Sequence, residues 1–259
     1  MKIKGKKIWI TGASSGIGAA LTKVLAADNQ LLLLARSQEK LEQLSQMHPN
    51  QIQFELFDVS DAEAYLKTEG LIEKYFYPDL VFFNAGISQR AIAKEAKPEV
   101  FKAMMDVNYF GVINPFLAIL HNKPENQQLQ VVVTNSVAGK FGYWMRSGYA
   151  ASKHALTGFF DTVALEEYQH GLRVTQVFPG RIDTPINQHA LMADGKPSAG
   201  RYEGFTDAMK TEYVVRKIIN ATAAKKSHKV IAKLEWIPFV VYNLSKGLFF
   251  RLFSKRKPE

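Results

Sequence analysis

Short apolar runs alternate with segments of helical periodicity along most of this chain of 259 residues. Residues 8–11 form such a run, and residues 17–27 then place apolar side chains at helical spacing. Residues 31–34 are all leucine, which is too short for a helix and is typical of a strand buried on both faces. The same alternation predicts strands at 52–57, 80–83, 130–134, 174–178 and 230–232, and helices at 38–47, 61–73, 98–120, 148–169 and 207–223.

Seven buried strands separated by helices predict an α/β fold, a Rossmann-type doubly wound parallel sheet in a single domain. We assign residues 1–233 to the catalytic domain. Within it, residues 186–206 contain three glycines, a proline and mixed polarity, which indicates a mobile flap over the substrate. Residues 234–259 form a basic, apolar tail that is either part of the same domain or an interfacial helix.

The charge is distributed unevenly. The net charge is +9, and residues 210–259 hold twelve basic and three acidic side chains, so the whole excess lies there. Such a tail favours a negatively charged partner, but charge confined to the tail does not predict nucleic-acid binding. There are no cysteines and only six scattered histidines, so we expect neither thiolate chemistry nor a metal site. The apolar run after the basic N-terminus is too short for a signal peptide, and we expect a cytoplasmic protein.

A glycine-rich turn lies between the first predicted strand and the first predicted helix. Glycines there let the backbone approach a pyrophosphate, whose charge the helix N-terminus favours. The spacing is Gly-x-x-x-Gly-x-Gly. The predicted cofactor contacts in this turn are Gly12, Ser14, Ser15, Gly16, Ile17 and Gly18.

The end of the second strand distinguishes the two nicotinamide dinucleotides. An acidic residue there binds the ribose 2′-hydroxyl, whereas an arginine accommodates a 2′-phosphate. Ala35, Arg36 and Ser37 follow the leucines, and no carboxylate occurs before Glu39. Arg36 therefore favours NADP(H), although it also fits an ordinary solvated charge.

Tyr149 and Lys153 are four residues apart on a predicted helix, so they share one face. A neighbouring ammonium, especially with a positive nicotinamide nearby, lowers the pKa of a tyrosine toward neutrality. Ser136 follows a predicted strand at the carboxyl edge of the sheet, where open α/β folds bind their ligands.

With these motifs in place, the sequence resembles the classical short-chain dehydrogenase/reductase family over nearly its whole length, most closely its lipid, steroid and retinoid carbonyl reductase branches. One departure is Phe83, where the family often has a first asparagine before Asn-Ala-Gly. The matching pieces are the turn 11–18, Asp58-Val59, Asn84-Ala85-Gly86, Asn108, Ser136, Tyr149-x-x-x-Lys153, Pro179-Gly180 and Thr184.

The resemblance implies a role for each matching residue. Tyr149 would be the general acid in reduction, and Ser136 would hold the substrate oxygen. Lys153 would bind the nicotinamide ribose and lower the tyrosine pKa, and Asn108 would hold a water by interrupting its helix. The further cofactor contacts that it implies are Asp58, Val59, Asn84, Ala85, Gly86, Pro179, Gly180 and Thr184.

Apolar residues between Ser136 and Tyr149, and in the flap, predict a pocket for a hydrophobic alcohol, ketone or aldehyde. The predicted substrate contacts, beside Ser136 and Tyr149, are Phe141, Trp144, Met145 and Ile186. A 3-oxoacyl carrier-protein reductase and a non-catalytic NADP-binding scaffold are the alternatives, and intact Asn108, Ser136, Tyr149 and Lys153 argue against the scaffold.

Two interactions beyond the substrate are expected. The helices at 98–120 and 148–169 resemble those that form four-helix interfaces in this family, which predicts a homodimer or homotetramer. The tail mixes aromatic and basic residues, which suits peripheral contact with an anionic membrane. The alternative is a tail that packs on the protein with its basic end in solvent.

Overall fold

The computed structural model describes residues 3–199 and 207–254. Its sheet has seven strands in the order β3-β2-β1-β4-β5-β6-β7, and the six pairings are parallel. This order confirms the predicted doubly wound sheet. The strands are β1 (Lys7–Thr11), β2 (Gln30–Ala35), β3 (Ile52–Leu56), β4 (Leu80–Phe83), β5 (Leu129–Thr134), β6 (Leu172–Pro179) and β7 (His228–Ile231).

Helices cover both faces of the sheet because alternate strand residues point to opposite sides. The helices are α1 (Gly16–Leu25), α2 (Gln38–Ser45), α3 (Ala64–Lys74), α4 (Pro98–Met105), α5 (Gly111–His121), α6 (Ser147–Glu166), α7 (Thr211–Ala223), α8 (Trp236–Leu244) and α9 (Lys246–Phe253). Ile8 and Ile10 pack in one buried cluster with α1, α2 and α7, and Trp9 packs in the other with α3, α5 and α6.

The predicted helix at 98–120 is two helices joined by a π-helical turn, Asp106–Phe110. The helix expected at 207–223 begins only at Thr211. In the described part of the flap, a 3₁₀ turn at Pro185–Asn187 is followed by an irregular segment. Leu191 in that segment bridges to Gln89 and to Pro197, and residues 200–206 of the flap lie outside the described residues.

The strand order reverses between β1 and β4, so a crevice opens at the carboxyl ends of these strands. The glycine turn follows β1, Asn84 follows β4, Ser136 follows β5 and Pro179 ends β6. The fold thus brings segments that are far apart in sequence to one edge of the sheet.

One described helical stretch, Pro98–His121, is long and apolar enough to cross a membrane by length and composition, with a mean hydropathy of 1.3. Half of that stretch is buried inside the protein. Phe116 and Ile119 belong to the core cluster on this face of the sheet, which is the ordinary position of a core helix.

Candidate active site

The glycine turn packs so closely that side chains would collide. Gly12 has φ +64°, and a Cβ there would lie 2.8 Å from Cα of Ala85. A Cβ on Gly18 would lie 2.2 Å from the carbonyl oxygen of Gly12. Helix α1 begins at Gly16, so its first amides face the turn. This cradle fits a pyrophosphate, which needs close backbone approach and N–H donors.

Hydrogen bonds join the glycine turn to the Asn84-Ala85-Gly86 segment. The Thr11 hydroxyl accepts from the amides of Asn84 and Ala85 at 3.0 and 3.1 Å. The Asn84 side chain donates to the Gly12 carbonyl at 3.4 Å. The cofactor residues predicted on these two segments therefore lie together, with Ser14 half-buried and Ser15 exposed.

Arg36 and Asp58 lie at the ends of neighbouring strands, with Nη1 of Arg36 3.8 Å from Oδ2 of Asp58. The Arg36 side chain is largely exposed, and that of Asp58 is partly buried. Burial opposes ionisation of Asp58, but hydrogen bonds from Ser60 and the Arg36 charge together hold the Asp58 pKa below its usual range. Val59 is buried instead, against Gly111 at the start of α5.

Asn108 is fully buried in the π-helical turn between α4 and α5. Its Oδ1 accepts from the Ile87 amide at 2.8 Å, and its Nδ2 donates to the Ile87 carbonyl at 3.0 Å and to the Ser152 hydroxyl at 3.1 Å. The side chain is thus occupied by the protein, and Asn108 joins the segment after β4 to α6. A Cβ on Gly86 would lie 3.1 Å from this Oδ1.

Ser136 is held by Asn135, which sequence reasoning missed. The Asn135 side chain is buried, accepts from the Ser136 amide at 2.9 Å, and donates to Thr157 and Gln176 at 3.0 and 3.1 Å. The Ser136 hydroxyl accepts from the Ala138 amide and lies 3.5 Å from the Pro179 carbonyl. In the sequence, the one indication of this role was that Asn135 directly precedes Ser136.

Tyr149 is half-buried in the first turn of α6. Burial raises the pKa of its phenol, and this outweighs the hydrogen bond with Ser136 and the charge of Arg146, which both lower it. The protein groups alone therefore hold the Tyr149 pKa above its usual value, opposite in direction to the sequence expectation.

Lys153 explains this difference. It is buried, its Nζ donates to the Thr134 carbonyl at 3.0 Å, and Nζ lies 5.8 Å from the centroid of the Tyr149 ring. Burial lowers the Lys153 pKa to about 8, because the ammonium has lost its hydration. At that distance its charge does not reverse the effect of burial on Tyr149.

The end of β6 forms the opposite wall. A Cβ on Gly180 would lie 2.7 Å from the Glu235 carboxyl group. The Thr184 methyl group would lie 3.2 Å from a Cβ on Gly16, so Thr184 faces the glycine turn. Thr184 stands at the N-cap of the 3₁₀ turn, but its side chain makes no capping hydrogen bond.

A cleft joins these elements. Its lining includes Ile17 of the glycine turn, Ser136, Tyr149 and Ile186. The other predicted substrate contacts lie elsewhere. Phe141 and Trp144 line a neighbouring apolar groove under α8 and α9, and Met145 lines neither the cleft nor the groove.

Phe141 and Trp144 lie outside the cleft because they pack against the tail. The Phe141 ring packs against Tyr242 and Phe249, with centroids 6.4 and 5.9 Å apart. The Trp144 indole donates to the Phe253 carbonyl at 3.1 Å. Tyr143, between them in sequence, lines both the cleft and the groove, so the two spaces adjoin.

Sequence reasoning also missed three charged residues of the cleft: Arg146, Arg181 and Glu235. Glu235 is buried and accepts from the Arg181 amide at 2.7 Å. In the sequence it was only an interruption of the apolar tail. No group of three or more potential metal ligands occurs within the described ranges.

Comparisons with known proteins agree with this geometry. Residues 6–194 match the family model described as short chain dehydrogenase. Dehydrogenase/reductase SDR family member 7B from Bos taurus is 34% identical over 266 residues, covering 98% of this chain and 82% of that protein.

Two solved structures share the fold. A short chain dehydrogenase from Burkholderia cenocepacia J2315 in complex with NADP has a TM-score of 0.81 and 21% identity, and each chain is covered completely. The closed form of a serine dehydrogenase complexed with NADP+ has a TM-score of 0.77 and 20% identity, covering 88% of this chain and 94% of that one.

Proposed function

This chain belongs to the short-chain dehydrogenase family, and we propose that it is an NADP(H)-dependent oxidoreductase that interconverts a hydrophobic alcohol and its ketone or aldehyde. The observation that carries the proposal is the convergence of Ser136, Tyr149 and the glycine turn on one cleft. Lys153 and Asn108 lie directly behind that cleft.

The mechanism follows from the position of each group. A nicotinamide held in the cleft would supply the hydride in reduction and accept it in oxidation. In reduction, Tyr149 donates its phenolic proton to the carbonyl oxygen, which Ser136 also holds through a hydrogen bond. Burial holds the pKa of Tyr149 above its ordinary value, so at neutral pH the phenol is in the protonated form that reduction requires. Lys153 would hold the nicotinamide ribose and help to return a proton to the phenolate.

Arg36 supports the preference for NADP(H). Its guanidinium is exposed at the end of β2 and directed by Asp58, so it is accessible to a 2′-phosphate. The double substitution Ala35→Asp and Arg36→Ile should weaken NADPH binding and strengthen NADH binding. Fluorescence titration of the unmodified protein provides the direct test, and tighter binding of NADH than of NADPH would exclude the assignment.

The apolar groove beside the cleft supports a hydrophobic substrate. Its wall includes Phe141, Trp144, Phe249, Phe250 and Phe253. The described part of the flap begins with Ile186, which lines the cleft and would contact the substrate there. Turnover of NADPH with medium-chain ketones, steroids and a 3-oxoacyl thioester distinguishes this proposal from a carrier-protein reductase, and no turnover with any of them would favour a binding scaffold.

We further propose that the chain forms a homodimer or homotetramer through α4, α5 and α6. Exposed apolar side chains on these helices support such an interface: Phe110 in the π-helical turn is 47% exposed and Leu165 on α6 is 81% exposed. Covering these side chains in a second copy would remove apolar surface from water.

The tail supports peripheral contact with a membrane. One face of α8 and α9 packs on the domain through Phe249. The other face leaves Trp236, Ile237 and Leu244 between 53% and 80% exposed. Packing on the protein is thus supported by one face of the tail, and contact with a membrane is supported by the other.

A further inference from the structure

Arg146 is a buried charge in the cleft. It is 9% exposed, precedes Tyr149 by one helical turn, and lines the same space as Ser136 and Tyr149. Its guanidinium donates to the Ser88 hydroxyl and, at 2.9 Å, to Oδ1 of Asn187. Both partners are neutral, and a buried guanidinium without a counter-charge is costly.

The neighbouring charges do not neutralise Arg146. Arg181, across the cleft, is paired with Asp207 at 3.1 Å and with Glu235 at 3.8 Å, so these two carboxylates are already engaged. Over residues 3–199 and 207–254, no carboxylate lies within ion-pair distance of Arg146. Burial, and then the positive charge of Arg90, lower the Arg146 pKa, while the phenols of Tyr149 and Tyr143 act in the opposite direction.

The backbone fixes Arg146 in this position. Met145 has φ +57°, a left-handed conformation that is strained for a residue with a side chain. The Met145 carbonyl accepts from the Ala91 amide at 3.1 Å, and Ala91 and Arg146 form a bridge between two loops. This conformation places Arg146 at the N-cap of α6, whose amide dipoles present their positive end to the cleft.

The guanidinium has donors to spare. It carries five N–H groups in a planar fork that matches a carboxylate or a phosphate, and Ser88 and Asn187 take two bonds. An anion bound there would supply the missing counter-charge. It would also lie in the same cleft as the phenol that reacts with the carbonyl group.

We propose that Arg146 binds an anionic group, a carboxylate or a phosphate monoester, of the carbonyl substrate that Tyr149 protonates. The inference rests on the proposed function for the identity of the reacting group, and it narrows the substrate from hydrophobic carbonyl compounds in general to acidic ones. Arg146 is then a specificity-determining residue.

The test compares three probes: a medium-chain γ-keto acid, its methyl ester, and the phosphate monoester of a hydroxyketone of similar length. Calorimetric titration of the NADP+-loaded protein, which cannot reduce the probes, measures Kd. NADPH absorbance with the NADPH-loaded protein measures turnover. We expect the acid or the phosphate to bind at least about tenfold more tightly than the ester, because a hydrogen bond to a charged group adds roughly one to two factors of ten. The tighter of the two anions identifies the group.

Arg146→Gln should bring the ratio of ester Kd to acid Kd close to one, and Arg146→Lys should retain part of it, since it keeps the charge but not the fork. Arg173→Gln is the matched control. It removes the same charge at the start of β6, where Arg173 donates to the Tyr168 carbonyl, and should leave the ratio unchanged. If Arg146→Gln does not fold, Arg146→Lys tests the anion site alone, and the ratio of ester Kd to acid Kd should be lower in this variant than in the unmodified protein.

The outcomes separate the two proposals. Equal binding of acid, phosphate and ester by the unmodified protein, or a ratio that survives Arg146→Gln, overturns the anion site and leaves Arg146 as a tie between Ser88 and Asn187. An Arg146-dependent preference for the anion without turnover of any probe supports the site and contradicts the proposed reaction instead.

Discussion

The tail contains two adjacent phenylalanines that should respond in opposite ways to the same substitution. Phe249 is 6% exposed and contacts Phe141 and Tyr242, with ring centroids 5.9 and 5.1 Å away. Phe250, the next residue, is 59% exposed. Phe249→Ala and Phe250→Ala therefore remove the same atoms from a buried and from an exposed position.

The expected magnitudes differ by several kcal/mol. Removing a buried phenylalanine ring costs about 3–5 kcal/mol through lost burial and the cavity that remains. The tail can detach without unfolding the sheet, so the loss appears mainly as local opening of α9. A local loss of about 3 kcal/mol corresponds to roughly a hundredfold increase in the open population. Phe250→Ala should change stability by about 0.5 kcal/mol or less.

Amide hydrogen exchange followed by mass spectrometry measures this opening directly. The Phe249 and Ser245 amides donate to Ser245 and Val241 carbonyls within the tail, and their exchange should be about a hundredfold faster in Phe249→Ala. In Phe250→Ala it should stay near the rate of the unmodified protein. Equal acceleration by both substitutions would refute the packing of α9 through Phe249.

Three further predictions concern other parts of the molecule. Asn108→Ala leaves both backbone groups of Ile87 without their partner, so the free energy of unfolding measured with urea should fall by about 2–4 kcal/mol. A change below about 0.5 kcal/mol would contradict the hydrogen-bonded role of Asn108. Leu165→Arg should convert the proposed oligomer to monomer by light scattering, and an unmodified protein that is monomeric at micromolar concentration excludes the interface. Substitution by serine at the exposed tail residues Trp236, Ile237 and Leu244 should abolish flotation with anionic liposomes. Neutral liposomes should bind neither the substituted nor the unmodified protein, and unchanged flotation of the substituted protein would locate membrane contact elsewhere.

The features that the sequence predicted well are those that local patterns determine. Buried strands of a parallel sheet need uniformly apolar runs, and β4 occupies the four residues predicted for it, Leu80–Phe83. The glycine turn was equally readable, because Gly12 and Gly18 are required by contacts within the turn and with Ala85. Such constraints leave a signal at the position itself.

The features that the sequence did not predict depend on distant contacts. Arginine usually lies at the protein surface, so the sequence alone does not indicate that Arg146 is buried. Its burial requires Ser88 and Asn187, which come from two other loops. Phe141 was predicted as a substrate contact, and its packing against Phe249, from the far end of the chain, left no signal in the sequence near Phe141. The pKa of Tyr149 depends on burial that no spacing of Tyr149 and Lys153 reveals.

The most direct test of the proposed reaction is the rate of NADPH oxidation with a panel of medium-chain ketones and aldehydes, measured for the unmodified protein and for Tyr149→Phe. Tyr143→Phe is the control, since Tyr143 lines the same cleft and its hydroxyl accepts a hydrogen bond from Arg181 at 3.3 Å. We predict that Tyr149→Phe lowers kcat by about a hundredfold or more while NADPH binding is unchanged, because the general acid is lost. Tyr149→Phe turning over at the unmodified rate, or a loss as large in Tyr143→Phe, would contradict the assignment of Tyr149 as the proton donor.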